Sequence, residues 1–420
     1  MERTSSSASG NFNIHNVTLE TKTHIHNIIQ LVESIAIVED IHGGLSHGEI
    51  RLRDTVGLID DLGSELQDAT LNISWSTDSS DTKNNQRSLK TSAGNINSKA
   101  FGIATAAYVT DDHVVTKVVK LVLESRYAIN NELKRVSKSY PAAQGVTPIV
   151  ADLLTTLSVP ESKMRIEGTM TCSGTQDSII IPNLTPLEAI EHLTVMGVSS
   201  SDMRLSSAAR SSMYFFEDSN AINLVSLGTL INKDVVANLK WDSAPTISDP
   251  NRALSFQRSE MFDTVRSARS GSYGATYYEH SITDKSMVSV RSGSSKPVGM
   301  LNEDVAWNDD RASDYPSTFT KYQVADGAYA QQTRGEDSFV LRRTTRSRML
   351  DQKALLTAPG NSAVTAGSVI HLSVPNAHGN ASPNDSGKWL VSRAVHHISR
   401  SKYTMDLEVV RDSSPKGGML

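Results

Sequence analysis

The chain has 420 residues, with 41 lysines and arginines against 46 aspartates and glutamates, a formal net charge of −5. That balance argues against a general nucleic-acid binder, which shows a basic surplus. The length exceeds what one hydrophobic core usually supports, so two to four domains are expected. Cys172 is the only cysteine, which excludes an intrachain disulfide and a thiolate metal cluster. The opening MERTSSSASG lacks the apolar core of a signal peptide. The most apolar early stretch, IIQLVESIAIVEDI, carries Glu33, Glu39 and Asp40, so no membrane span is expected.

The first ten residues read as a Ser-rich tail with almost nothing to bury. Short strands follow at FNIHNVTL, LVESIAIVEDI, GEIRLRD and ATLNISW. Beyond a polar stretch from Ser76 to Lys99 come FGIATAAYV and VTKVVKLVLES. Strand material on both sides makes that polar stretch a long loop, and the region from 11 to 127 a first β-barrel or sandwich. Thr147-Pro148 offers a helix start, with Val146, Ile149, Val150, Leu153, Leu154 and Leu157 tracing one apolar stripe. Thr185-Pro186-Leu187-Glu188 has the form of a capping box opening a second helix, whose Leu187, Ile190 and Leu193 can face a core. With the strand SIIIP before it, this predicts an α+β module over 128–213. MYFFED and INLVSL restart β structure. A Ser-, Asp- and Arg-rich stretch with scattered aromatics reads as an inserted module over 241–344. The second barrel is assigned to 214–240 and 345–413, closing with LLTAPGNSAVTAGSVIHLSVP and a final hairpin.

That hairpin is SGKWLVSRAVHHISRSKYTMDLEVVRDSS, 386–414. On an extended strand successive side chains point to opposite faces, so His396 and His397 diverge and cannot share a metal ion; both read as packing or surface residues. Leu390, Ala394, His396 and Ile398 fall on one face, and Trp389, Val391, Val395 and His397 on the other, so both faces are mixed. After the turn at Ser399-Arg400-Ser401, Tyr403, Met405, Leu407 and Val409 alternate cleanly with Thr404, Asp406 and Glu408. An internal echo links RLRDTVGLIDDL (51–62) with FFEDSNAINLVSL (215–227), aligned on Asp54 and Asp218, and suggests two related barrels.

Signatures of catalysis are missing: no G-x-S-x-G, H-E-x-x-H, Walker A loop or dinucleotide glycine pattern occurs. The adjacent carboxylates Asp60-Asp61, Asp111-Asp112 and Asp309-Asp310 read as solvated turns rather than an acid–base pair. His24 and His26 share a strand face, with His15, His42 or His47 as a third ligand in the metal-binding reading; surface or satisfied histidines are the plainer one. The one basic cluster is LRRTTRSRM (341–349). Strand alternation puts Arg342, Arg346 and Arg348 on one face, and with Arg343 they suit an acidic protein surface or phosphate. No aromatic residues interleave for base stacking, so a protein contact or a solvated face is expected rather than nucleic acid. No catalytic, cofactor-binding or metal residue is assigned.

Taken in order, SKSYPAAQGVTPIVADLLTTL, IIIPNLTPLEAIEHL, SMYFFEDSNAINLVSLGTLI, SARSGSYGATYYEHSITDKS, TAPGNSAVTAGSVIHLSVP and the final hairpin resemble the baseplate central hub proteins of contractile-tailed bacteriophages, over about residues 12–413. Related hubs occur in type VI secretion and contractile injection particles. The stretches 76–99 and 287–320 match nothing in that pattern. The resemblance implies a mainly β chain with α+β insertions, carrying two related tube-like antiparallel barrels. It implies a homotrimer forming a pseudo-sixfold ring that joins the sixfold tail tube to a threefold central spike, with no cofactor and no reaction. Implied partners are the spike, tail tube or tube-initiator proteins and the tape measure, without stable nucleic-acid binding. The implied place is the virion tail baseplate, assembled in the host cytoplasm and serving genome ejection through a channel whose wall is expected to be net negative. Two other readings are a tail-associated peptidoglycan-degrading enzyme, which needs a cleft with an acid and a base, and a carbohydrate-binding receptor protein, which needs exposed aromatic clusters.

Overall fold

The computed structural model describes residues 12–77, 96–109, 117–141, 144–171, 178–199, 213–241, 251–260, 352–382 and 384–413, with short pieces between 263 and 349. The mainly β class stands. β1 (Phe12–Glu20), β2 (Ile25–Asn27), β3 (Val32–Asp40) and β4 (His47–Asp54) precede a short helix, α1 (Leu58–Leu62), and a 3-10 turn, Gly63–Asp68. β5 (Thr70–Thr77), β6 (Asn97–Val109) and β7 (Lys117–Ser125) follow. Their alternating apolar residues fill one core, as in β7, where Val119, Leu121 and Leu123 are buried between half-exposed neighbours.

Next come α2 (Arg126–Glu132), β8 (Val136–Tyr140), α3 (Val146–Thr156), β9 (Met164–Ile166), β10 (Thr169–Thr171), β11 (Ile179–Leu184), α4 (Pro186–Met196) and β12 (Gly197–Ser199). The apolar stripe of α3 is buried as its spacing requires. Its N-cap is Gly145 rather than Thr147, which lies inside the first turn and donates its hydroxyl to the Glu167 carbonyl at 2.9 Å. The capping box of α4 forms as read. Thr185 donates its amide to Glu188 Oε2 at 2.8 Å, and the Glu188 amide reaches Thr185 Oγ1 at 3.3 Å.

β13 (Met213–Glu217) and β14 (Ile222–Ser226) were expected with the second barrel. They pair with each other, and β14 also with β9, in a separate three-stranded sheet. MYFFE is apolar in both parities because this sheet is covered on both sides: Met213 and Phe215 pack against the helices of the α+β module, Tyr214 and Phe216 against the large sheet. α5 (Leu227–Ile231) and β15 (Val235–Lys240) lead to β16 (Ser255–Glu260), then to β17 (Ala275–Ser281), β18 (Met287–Ser292) and β19 (Ser317–Gln323), which form a small sheet of their own. β20 (Gln352–Pro359), β21 (Val369–Ser373), β22 (Gly387–Ser399) and β23 (Tyr403–Arg411) end the described chain. β16, assigned by sequence to the inserted module, pairs with β20 in the large sheet.

That large sheet has 13 strands. Its main path runs β16-β20-β23-β22-β3-β4-β7-β6-β5-β1-β2, with β15 and β21 branching from β22. The stretches before residue 127 and after residue 235 thus meet at β22·β3. The mixed faces of β22 also resolve. A bulge between Val391 and Arg393 shifts the register against β23, so Trp389 and Val391 share a core with Ala394 and Ile398 although their parity differs.

The echo between 51–62 and 215–227 is one of turn chemistry. Asp54 accepts the amides of Val56, Leu58 and Ile59, and Asp218 those of Asn220 and Ala221. β4 and β13 belong to different sheets, so the two segments are not equivalent places. The repeat lies elsewhere. Counting along the sheet from β6 to β3, the first stretch places β3, β4, β6 and β7 fourth, third, first and second. Counting from β22 to β16, the second places β16, β20, β22 and β23 in the same order. Lengths agree in three of the four pairs: β4 and β20 have 8 residues, β6 and β22 have 13, β7 and β23 have 9, while β3 has 9 against 6 in β16. In both copies a further strand, β5 or β21, pairs with the first half of the 13-residue strand.

Candidate functional site: two open sheet edges

From β6 to β16 the sheet contains eight strands joined by seven antiparallel pairings, so β6 and β16 run in opposite senses. Both end strands have an unpaired edge among the described residues. β5 covers β6 only along Asn97–Gly102, and Ala104–Val109 are exposed in both parities. Tyr108 and Val109 are 49% and 46% exposed. Such an edge offers unpaired N–H and C=O groups to another strand. Beneath it a shallow cavity of about 260 Å³ is lined by Ile59, Leu66, Ala106, Tyr108 and Val119. Asp60 accepts Tyr108 Oη and Lys117 Nζ at its rim. Lys117, then Tyr108, holds the Asp60 carboxyl below its usual range.

β16 presents Ser255, Gln257 and Ser259 to solvent, and the next strand exposes Leu355 by 47%. This end is fixed from behind. Arg258 donates to Asp385 Oδ1 at 2.8 Å and to Gln352 Oε1 at 2.9 Å. The buried Arg411 stacks 4.0 Å over Trp389 and donates to Gln352 Oε1 and the Ser386 carbonyl, both at 2.8 Å, and to the Asn384 carbonyl. Burial, then the nearby Arg258, pulls Arg411 down to about 9. Replacing Arg411 by Leu is expected to cost about 3 kcal/mol in urea unfolding, because several buried acceptors lose a charged donor at once.

A second polar cluster ties the α+β module to the sheet. Lys99 on β6 and Glu39 on β3 are buried, and Lys99 Nζ lies 3.7 Å from a carboxylate oxygen of both Glu39 and Glu217. Glu217 Oε2 accepts the Ser46 amide at 3.1 Å and hydroxyl at 2.9 Å. Glu39 accepts the Ser219 hydroxyl and, at 3.2 Å, the Ala366 amide. Burial pushes the Glu39 carboxyl up to about 7 against the opposing pull of Lys99.

The histidines take separate places. His396 is buried with Nδ1 at 2.8 Å from Tyr403 Oη, and burial, then Lys99, lowers it to about 3. His397 points the other way, its Nε2 3.0 Å from Asp406 Oδ2 at the surface. The His24 and His26 rings are 5.9 Å apart, and no group of three His, Cys, Asp or Glu residues is arranged for a metal among the described residues. Replacing His397 by Gln should change stability by less than about 0.5 kcal/mol. Replacing His396 should cost about 1–2 kcal/mol through the lost Tyr403 bond, with metal content at background in both. Arg342, Arg343, Arg346 and Arg348 lie outside the described residues, as do Asp111-Asp112 and Asp309-Asp310. Sequence reading missed the open half of β6, although FGIATAAYV, apolar in both parities, carried the signal.

A solved tail protein from Neisseria meningitidis MC58 superposes with a TM-score of 0.53 at 10% identity, covering 94% of this chain and 96% of that one. The fold is shared with a tail protein. The 43 kDa tail protein of prophage MuSo2 from Shewanella oneidensis gives 0.49 at 8% identity, covering 95% and 98%. In sequence the chain is 24% identical over 225 residues to the "Probable baseplate hub protein gp334" of Vibrio phage KVP40; the match takes in 48% of this chain and 52% of that relative's length. No family model matches. Sequence and fold together support a baseplate hub-like protein. No helix among the described residues is long and apolar enough to cross a membrane.

Proposed function

We propose that this hub-like chain acts as a homotrimeric symmetry adapter of a contractile-tail baseplate, joining a sixfold tail tube to a threefold central spike, without catalysis. The observation that carries the reading is the duplicated four-strand unit with an open edge at either end. Two similar units per chain give six in a trimer, so one ring can offer six similar surfaces on one side and remain threefold on the other. Opposite strand senses at β6 and β16 favour head-to-tail joining, since a neighbour's β16 beside β6 continues the antiparallel alternation.

The same proposal assigns the chain to the virion baseplate after assembly in the host cytoplasm, with the spike, tube or tube-initiator and tape measure proteins as partners. LRRTTRSRM is proposed as a protein contact through Arg342, Arg343, Arg346 and Arg348, and the channel wall as net negative so that DNA passes without being held. Summing the charges that face the axis in an imaged particle tests the last point; a positive wall would contradict it. The non-enzymatic reading is tested by zymography of the purified chain on peptidoglycan. No clearing is expected, and clearing would favour a tail-associated lysin.

A further inference from the structure

The chain already contains one copy of the junction that a ring would need. At β22·β3 the second half of a 13-residue strand, past its bulge, pairs with the outer strand of the other unit: Arg393 opposite Asp40, Val395 opposite Val38, His397 opposite Ala36. β6 is the counterpart of β22, and its half past the bulge between Ile103 and Thr105 is the half left open. β16 is the counterpart of β3, and its outer edge is likewise unpaired among the described residues.

The internal repeat fixes the register. Thr105 and Arg393 are the first paired residues after their bulges, opposite Val122 and Glu408, which makes Val109 the counterpart of His397. Val122 pairs with Glu49, which pairs with Ala36. Glu408 pairs with Leu355, which pairs with Gln257. Gln257 is therefore the counterpart of Ala36. Side-chain parity agrees on the second unit: Gln257 and Leu355 project from the exposed face of their strands, as His397 does.

We infer that the open half of β6 docks antiparallel on β16 of a second copy of this chain, with Val109 opposite Gln257 and Ala107 opposite Ser259. The occupant is a second copy because β6 and β16 end the same run of strands in opposite senses, and the chain's own β22·β3 pairing shows that the two strand types fit. A two-faced edge, Ala104 to Val109, then gains a cover that no described residue of the same chain gives it. The register deepens the trimer reading and rests on it.

The test is a cysteine pair, Val109→Cys with Gln257→Cys, in the full chain carrying Cys172→Ser. All substituted strand positions are exposed, so the fold is left intact. Directly opposed strand residues bring Cβ atoms to about 5 Å, near disulfide range. Mild oxidation should give covalent dimers and trimers on non-reducing gels at least tenfold more abundant than for the pair Val109→Cys with Ser255→Cys, two places out of register. Trimers in solution without preferential crosslinking would overturn the register and leave the trimer standing. Monomers both alone and co-expressed with the spike protein would overturn both.

Discussion

Proline at one of the two neighbours Ala106 and Ala107 will break the assembly and leave the subunit folded. On an antiparallel strand, adjacent residues send their N–H and C=O groups to opposite sides. One of these two alanines therefore faces β7 and the other the open edge. Proline at the edge-facing position removes a donor and puts a ring where a neighbouring backbone would lie. The expected loss is about 2 kcal/mol at each of three interfaces, enough to shift a micromolar trimer to monomers with unchanged far-UV circular dichroism. Proline at the other position cuts the β6·β7 ladder instead and should lower the unfolding midpoint. If neither variant changes the particle mass, β6 is not an assembly edge.

Replacing Lys99 by Met will be the most destabilising single change of a charged residue. Glu39 and Glu217 then share a buried site without the cation that offsets them, a situation that typically costs about 3–5 kcal/mol. The effect has a pH sign. The Glu39 carboxyl is raised in the folded chain to about 7. Its contribution to stability is therefore fully present below about pH 4.5 and is lost as pH rises through 7, by as much as about 3 kcal/mol. Lys99→Met should accordingly be worse at pH 8 than at pH 6, and adding Glu39→Gln should recover part of the loss at pH 8. Urea unfolding of the three chains at both pH values checks this; a pH-independent penalty would show that Glu39 does not titrate at this contact.

Strand alternation made much of the fold legible in the sequence. GEIRLRD and YTMDLEV each kept one face for the core, and the capping box at Thr185 and Glu188 marked a helix start through its own hydrogen bonds. What alternation cannot carry is partner choice. MYFFED reads as a strand, but nothing local says that it pairs with β14, at the end of a separate sheet, rather than with the large sheet. The repeat lies in strand order and length rather than in the apolar segments around Asp54 and Asp218, because duplicated sheets keep their topology after their side chains diverge: Glu49 corresponds to Leu355, and Ser125 to Arg411. Bulges hide for the same reason, since one extra residue in β22 inverts the parity that the pattern depends on. The Lys99 cluster was invisible because its members, Glu39, Lys99 and Glu217, are far apart in the chain.

The head-to-tail trimer is tested most directly by the mass of the purified full chain in light scattering at micromolar concentration, alone and co-expressed with the spike protein of the same particle. Three copies in at least one of these states is the predicted result. A stable monomer in both would contradict the account.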